Sequence, residues 1–259
     1  MLTHLHVFGL EVPMYGLMMA VAFLTVSAIS FVRARKRGLQ GENLIIIAAM
    51  VLGGALFGGR LMYMLITWTP AQIGQMASEG QWDLLLGGGI VFYGGLAGGI
   101  IGAFLGSLIA RDDLRNYLDV VVPVVPLGHA IGRIGCLCAG CCYGRPTDSF
   151  LGIIYPENIG GAPVGVKLLP VPLIEAAANL VIFGILMYVS SKTSSRYLTT
   201  FLYCILYGTT RFVLEFFRYD AIRGIAGGLS TSQWISLGII CAALAAMLIM
   251  RRRKLKRAV

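Results

Sequence analysis

Charge is what this sequence has least of. Of its 259 residues only 13% are Asp, Glu, Lys or Arg, and the acidic ones number 12. Soluble domains carry about a quarter charged and about half apolar residues. Here the apolar share is 57% and the mean hydropathy +0.80. That balance excludes both a soluble globular protein and a disordered one. No cleavable leader is expected. The first apolar stretch follows Glu11 without a basic n-region or a small-residue cleavage site, so it is expected to remain as a span. No internal repeat of the kind that builds inverted-repeat transporters is visible. The net charge of +9 does not form the single clustered face that nucleic acid requires, so nucleic acid is not an expected partner.

What is present is a series of glycine-rich apolar stretches separated by basic clusters. Membrane helices consume about 20 residues each. The sequence predicts seven, at 13–32, 43–66, 84–110, 116–138, 171–190, 198–217 and 231–250. The expected fold is all-α and membrane-embedded, one transmembrane domain over residues 1–259. Basic residues gather on alternate loops: Arg33, Arg35, Lys36 and Arg37, then Arg111 and Arg115, then Lys192 and Arg196, then the Arg251–Arg257 tail. The positive-inside rule puts these in the cytoplasm and the N-terminus outside, as in a bacterial inner membrane. The loops at 67–83, 139–170 and 218–230 then face the periplasm. Segment 139–170 is the longest, a loop or head segment in which a short strand or interfacial helix is expected. Glycines spaced by four, such as Gly94, Gly98 and Gly102, let helices approach closely. Gly87–Gly89 with Gly94 and Gly95 suggest a locally broken helix lining a cavity.

Three arginines lie inside apolar stretches: Arg60, Arg133 and Arg211. An intramembrane arginine faces the interior and marks a site for a charged ligand. The anion native to a bilayer is a phospholipid phosphate, which matches the forked guanidinium donors. Tyr207, Arg211 and Glu215 are spaced by four and share one helix face, so Glu215 pairs with Arg211 in this reading. Three arginines ask for more acid than the spans offer, and a lipid phosphate makes up the difference. His129 lies one turn before Arg133 and is either a base or a structural, hydrogen-bonded histidine. Tyr93 and Tyr15 read equally as packing or interfacial residues. Cys136, Cys138, Cys141 and Cys142 form a dense cluster. Its C-x-C-x-x-C-C spacing lacks the separated knuckles of structural zinc sites, so no metal and no cofactor is expected. A reactive thiol near Arg133 remains an alternative to small residues in a tight site.

In order along the chain stand MYGLMM, GGRLMY, FYGGLAGG, PLGHAIGRIG running to YGRPTD, PVPLIE and YGTTRFVLEFFR. Together they resemble the prolipoprotein diacylglyceryl transferases over nearly the whole length. The resemblance implies a seven-spanning enzyme with phosphatidylglycerol as donor and the signal-sequence cysteine of a lipoprotein precursor as acceptor. A thioether forms and glycerol phosphate leaves. It further implies lipid phosphate binding by Arg133 and Arg211. The expected catalytic residues are Tyr93, Arg133, Arg211 and Glu215. Tyr15, Arg60, Gly94, Gly95, His129, Cys136, Cys141, Gly144 and Tyr207 are the expected substrate-binding residues. Three positions depart from the family pattern. Tyr93 stands where the family has the histidine of His-Gly-Gly, its favoured base. Cys136 stands at the Asn of Gly-Arg-x-x-Asn, and Cys141 at the Glu five residues on. Donor recognition is thus expected to be retained and the acceptor side rebuilt. The alternatives are a different acceptor, reached through a cysteine, and a non-catalytic lipid-binding protein.

Overall fold

A computed structural model of the chain describes all residues except 1–3, 8–9, 84–86, 88, 156–159, 194, 196, 220–223 and 257–259. It divides into two compact units, Phe31–Tyr117 and Met1–Ser30 with Leu118–Val259.

The first unit is built on a helix pair, α2 (Gly41–Thr67) and α4 (Phe92–Ala110). Their contact is a seam of glycines. A Cβ on Gly54 would strike the carbonyl of Gly98, and one on Gly58 the carbonyl of Gly94. In hydrocarbon, helices gain from van der Waals contact rather than from hydrophobic burial, so bare backbones in contact are a stable solution. The break expected in the 84–110 stretch falls at residues 87 and 89–91, which are not helical, and not at Gly94 and Gly95. α4 runs unbroken through Gly94 and Gly95, and Gly94 is needed for its approach to Gly58 and Met62. Gly87 and Gly89 precede the helix instead, while residues 84–86 and 88 lie outside the described residues. The stretch at 67–83, expected as a plain loop, contains a further helix, α3 (Pro70–Ser78). Thr69 and Gln72 form a reciprocal capping box, and Pro70 lies in its first turn, where a missing N–H costs nothing.

The second unit holds most of α1 (Met14–Lys36), then α6 (Val125–Cys138), α7 (Val171–Lys192), α8 (Leu198–Glu215) and α9 (Thr231–Lys256). The expected span at 116–138 corresponds to one apolar helical segment, Leu114–Cys138, made of α5 (Leu114–Val121), a 3₁₀ turn at Val122–Val124, and α6. Pro123 and Pro126 lack the N–H an uninterrupted helix would need and tighten the chain between them. α6 packs between α1 and α7, and α8 between α7 and α9. Among the described residues three two-stranded antiparallel hairpins lie between or before the helices: β1 (His4–Val7) with β2 (Leu10–Pro13), β3 (Ile153–Ile154) with β4 (Lys167–Leu168), and β5 (Ile225–Ala226) with β6 (Leu229–Ser230). The β3–β4 hairpin, in register Ile153↔Leu168, forms the strand element expected in 139–170. Tyr155, Ala162 and Leu168 make a small buried core beneath it.

Beside a buried apolar core, large apolar side chains also cover the outside and several polar ones lie within. Phe57, Leu65, Ile66, Ile100, Val181 and Leu24 face outward, while Glu175, Asn179, Gln233, Ser236 and Ser107 are buried. Among the described residues six helical segments are long and apolar enough to cross a membrane, so the chain is an all-α, multi-pass membrane protein. The seventh expected span coincides with α8. It has 18 residues, but Arg211, Glu215 and its tyrosines and threonines dilute it, and it is not among the six.

Candidate active site

Three helices of the second unit bring four charged side chains together. On α6, Arg133 Nη2 lies 2.9 Å from Oε1 of Glu175 on α7. On α8, Arg211 Nη2 lies 3.0 Å from Glu215 Oε2, one turn further along the same helix. Arg211 Nη1 reaches toward Glu175 Oε2 at 3.9 Å, too far for a hydrogen bond. Glu175 is fully buried, and both arginine side chains retain only 14% exposure. Uncompensated charge at such depth would be prohibitive, so the carboxylates are a condition of the arginines' presence. Two arginines face two carboxylates. The sequence-based expectation that a phosphate must make up an acid deficit is therefore corrected, because Glu175 from α7 joins the cluster. Arg60 belongs to the chain's other unit. In its own unit its Nη1 donates to the Gly89 carbonyl at 3.2 Å, and its guanidinium lies 5.2 Å from the Tyr63 ring centre and 5.8 Å from that of Trp68.

What the cluster does offer is donor capacity. A guanidinium has five N–H groups in a fixed fork. Buried Arg211 Nη1 has no hydrogen-bond acceptor among the described residues, and Arg211 Nη2 has, besides Glu215, Ser232 Oγ on α9 at 3.4 Å. A buried donor of this kind in a native protein calls for a ligand or water.

An aromatic wall closes one side. Tyr207 on α8 donates its hydroxyl to Glu175 Oε1 at 3.4 Å. His129 lies over the Tyr207 ring at 4.7 Å, and its Nδ1 is 3.2 Å from the Tyr203 hydroxyl. His129 is thus held in a hydrogen bond one turn from Arg133. Tyr15, in the first turn of α1, approaches α6 at Gly135. Gly144 donates to the Leu169 carbonyl at 2.9 Å, and a Cβ there would crowd Val171 at the start of α7. Tyr93, Gly94 and Gly95 belong to the first unit, in the opening turn of α4, where Tyr93 is 49% exposed and meets Phe92 edge to face.

The thiols are positioned by the end of α6. Gly140 takes the left-handed conformation at φ 64° and donates to the Leu137 carbonyl, while Cys141 N–H donates back to the Cys136 carbonyl at 3.2 Å. This is a Schellman ending, which brings the third-last helical residue against the second residue beyond the cap. Here those two residues are Cys136 and Cys141. Cys142 follows, also left-handed at φ 62° although it is not glycine. The Sγ atoms of Cys136, Cys141 and Cys142 all lie within 4.8 Å of one another, and all three are free thiols. Beyond them Gly144 bridges to Arg218 just past α8, and Arg145 N–H donates to the Phe217 carbonyl at 2.9 Å.

Sequence reading passed over Glu175 and Tyr203 as site residues. Glu175 is the sole acid of the stretch 171–190, and Tyr203 lies one turn before Tyr207. Both signals were present.

A protein-family model described as prolipoprotein diacylglyceryl transferase matches residues 3–249. Among curated proteins, phosphatidylglycerol–prolipoprotein diacylglyceryl transferase 2 of Clostridium perfringens is 33% identical over 234 residues, covering 90% of this chain and 89% of the relative. The phosphatidylglycerol–prolipoprotein diacylglyceryl transferase of Clostridium tetani is 34% identical over 247 residues, covering 95% and 96%. The protein of the same name from Dehalococcoides mccartyi is 30% identical over 252 residues, covering 96% and 93%. With a match of this extent, the chain belongs to the prolipoprotein diacylglyceryl transferase family.

Proposed function

We propose that the protein transfers the diacylglyceryl group of phosphatidylglycerol to the thiol of a lipoprotein signal-sequence cysteine. The reaction takes place in the bacterial cytoplasmic membrane, with the N-terminus outside and the basic C-terminal tail in the cytoplasm. The observation that carries this reading is the buried Arg133–Arg211 pair on facing helices, with Arg211 Nη1 lacking an acceptor among the described residues.

The phosphate sits against the two guanidinium forks. As the C–O bond to the glyceryl carbon breaks, negative charge grows on the departing glycerol phosphate. Fixed cations in a dry site stabilise that charge without reorganising. Glu175 and Glu215 hold the forks in place, and Tyr207 braces Glu175. Tyr15, His129 and Gly144 line the same unit, whereas Arg60, Gly94 and Gly95 support the α2–α4 pair. The acceptor sulfur attacks the same glyceryl carbon, so donor and acceptor must be held in line. Tyr93 is assigned to the acceptor side.

The test is a reconstituted reaction with the full chain, radiolabelled phosphatidylglycerol and a lipoprotein signal peptide carrying one cysteine. Label should move to the peptide in an alkali-stable thioether, and a peptide with serine at that position should stay unlabelled. Folded protein that gives no labelled peptide and no glycerol phosphate would remove the proposal.

A further inference from the structure

We propose that Cys136, Cys141 and Cys142 form a three-thiolate site for a thiophilic divalent cation of the zinc class, whose fourth position takes the acceptor cysteine. This inference rests on the transfer reading above and names the device that prepares the attacking thiol.

Three sulfurs bound to zinc at about 2.3 Å in a tetrahedron lie about 3.8 Å apart. The three Sγ atoms here already lie within 4.8 Å of one another, so closing on an ion asks for side-chain adjustments well under a rotamer change. A helix end of this kind ordinarily brings two side chains together, and here the convergence extends to a third sulfur. It is produced by two specific backbone features, the Schellman ending that joins Cys136 to Cys141 and the left-handed Cys142. Non-glycine residues seldom occupy that region, and strain of this type is held where a site needs it. No disulfide consumes the thiols. All three are partly exposed rather than sealed. Cys138, on the same helix, is not part of the group.

Three protein ligands with one open position is the arrangement of catalytic rather than structural zinc. Three thiolates on a dication carry one net negative charge. Arg133, one turn before Cys136, and Arg218, across the Gly144 bridge, lie within electrostatic reach of Cys142 and offset it. A thiol that coordinates such an ion loses its proton outright. The acceptor thiol replaces a metal-bound water, and its proton passes to that water. The metal-held sulfur then donates an electron pair to the glyceryl carbon. The S–C bond forms, the C–O bond breaks, and the electron pair leaves with glycerol phosphate held at Arg133 and Arg211. The neutral thioether is a weaker ligand and departs, and water returns. A direct covalent route through one of these cysteines is excluded by the same chemistry. It would end in a thioether on the enzyme, which a second thiol does not readily displace.

The experiment uses the purified full-length protein in detergent, stripped of metal by a chelator, with cobalt(II) as a spectroscopic stand-in and zinc as competitor. One cobalt per chain is expected, with thiolate charge-transfer bands and a tetrahedral ligand-field spectrum. Losing even an outer-shell partner of a metal site costs about ten-fold or more in affinity. Cys136→Ser, Cys141→Ser and Cys142→Ser should each lose at least that much, and Cys138→Ser should not. Adding the cysteine signal peptide should shift the ligand-field bands, and the serine peptide should leave them unchanged. No stoichiometric cobalt, or equal weakening by Cys138→Ser, overturns the site. A cobalt site blind to the cysteine peptide overturns its role toward the acceptor. Transfer from phosphatidylglycerol that survives chelation and all three serine variants overturns the inference and leaves the transfer reading standing. A metal site that responds to the peptide in a protein without transfer would instead sink the transfer reading.

Discussion

Glu175 on α7 holds Arg133 on α6 at 2.9 Å, and it does so from full burial. The pair ties two membrane helices together and sets the position of a cation. Removing the carboxylate leaves a buried guanidinium without its partner, which costs about 3–5 kcal/mol in comparable pairs. Glu175→Ala is therefore expected to lower thermal stability in detergent sharply. Glu175→Gln, which keeps an acceptor and the side-chain volume, should cost less. Equal stabilities of Glu175→Ala and wild type would show that the pair does not support the helix interface.

The glycine seam makes a prediction with its own control. At Gly98 a Cβ would meet the backbone of Gly54, whereas at Gly53 it would meet open space. Overpacking costs about 1–3 kcal/mol. Gly98→Ala should fall in that range, and Gly53→Ala within about half a kcal/mol of wild type. Thermal unfolding of both variants in the same detergent compares them directly.

Asp112, in the turn between α4 and α5, supplies a pH dependence. Its carboxylate accepts from the Tyr117 hydroxyl at 2.7 Å and from Asn43 at 3.1 Å. These bonds, the tyrosine's foremost, hold its carboxyl below the ordinary carboxylate range. A depressed folded value means stability that is present above the unfolded carboxyl's value of about 3.9 and lost as pH falls through the folded one. The melting-temperature gap between wild type and Asp112→Asn should be widest near neutrality and close in acid. A gap constant with pH would contradict this assignment.

Tyr93→Phe isolates one hydroxyl. If the phenol serves the acceptor side, the variant should lose transfer rate sharply while donor affinity holds. Full activity would exclude the hydroxyl from the reaction.

The parts of the fold legible in the sequence are those set by solvent and by local spacing. Hydropathy marks the helices because a bilayer leaves little choice of backbone. The Tyr207–Arg211–Glu215 face follows from a spacing of four. Glu175 was harder to place because sequence does not say which helices are neighbours, and its pairing with Arg133 crosses an interface. α3 escaped notice because a nine-residue amphipathic helix carries little hydropathy signal; the Thr69–Gln72 capping box was the clue. The thiol cluster is legible in the sequence as a dense group, but its geometry is not. Helical spacing separates Cys136 from Cys138, and adjacent cysteines seldom pair, in keeping with free thiols. Gly140 ends the helix in that interval, and across such an ending residues five apart come together.

The central claim is that the two buried guanidinium forks recognise and stabilise the lipid phosphate. Lysine keeps the charge and loses the fork. The most direct measurement is turnover of labelled phosphatidylglycerol by wild type, Arg133→Lys and Arg211→Lys, each shown to be folded. The account expects wild-type turnover and a fall of about a hundred-fold or more in each variant, comparable to removing a fixed donor from an oxyanion site. Turnover within a factor of a few of wild type in both lysine variants would contradict it.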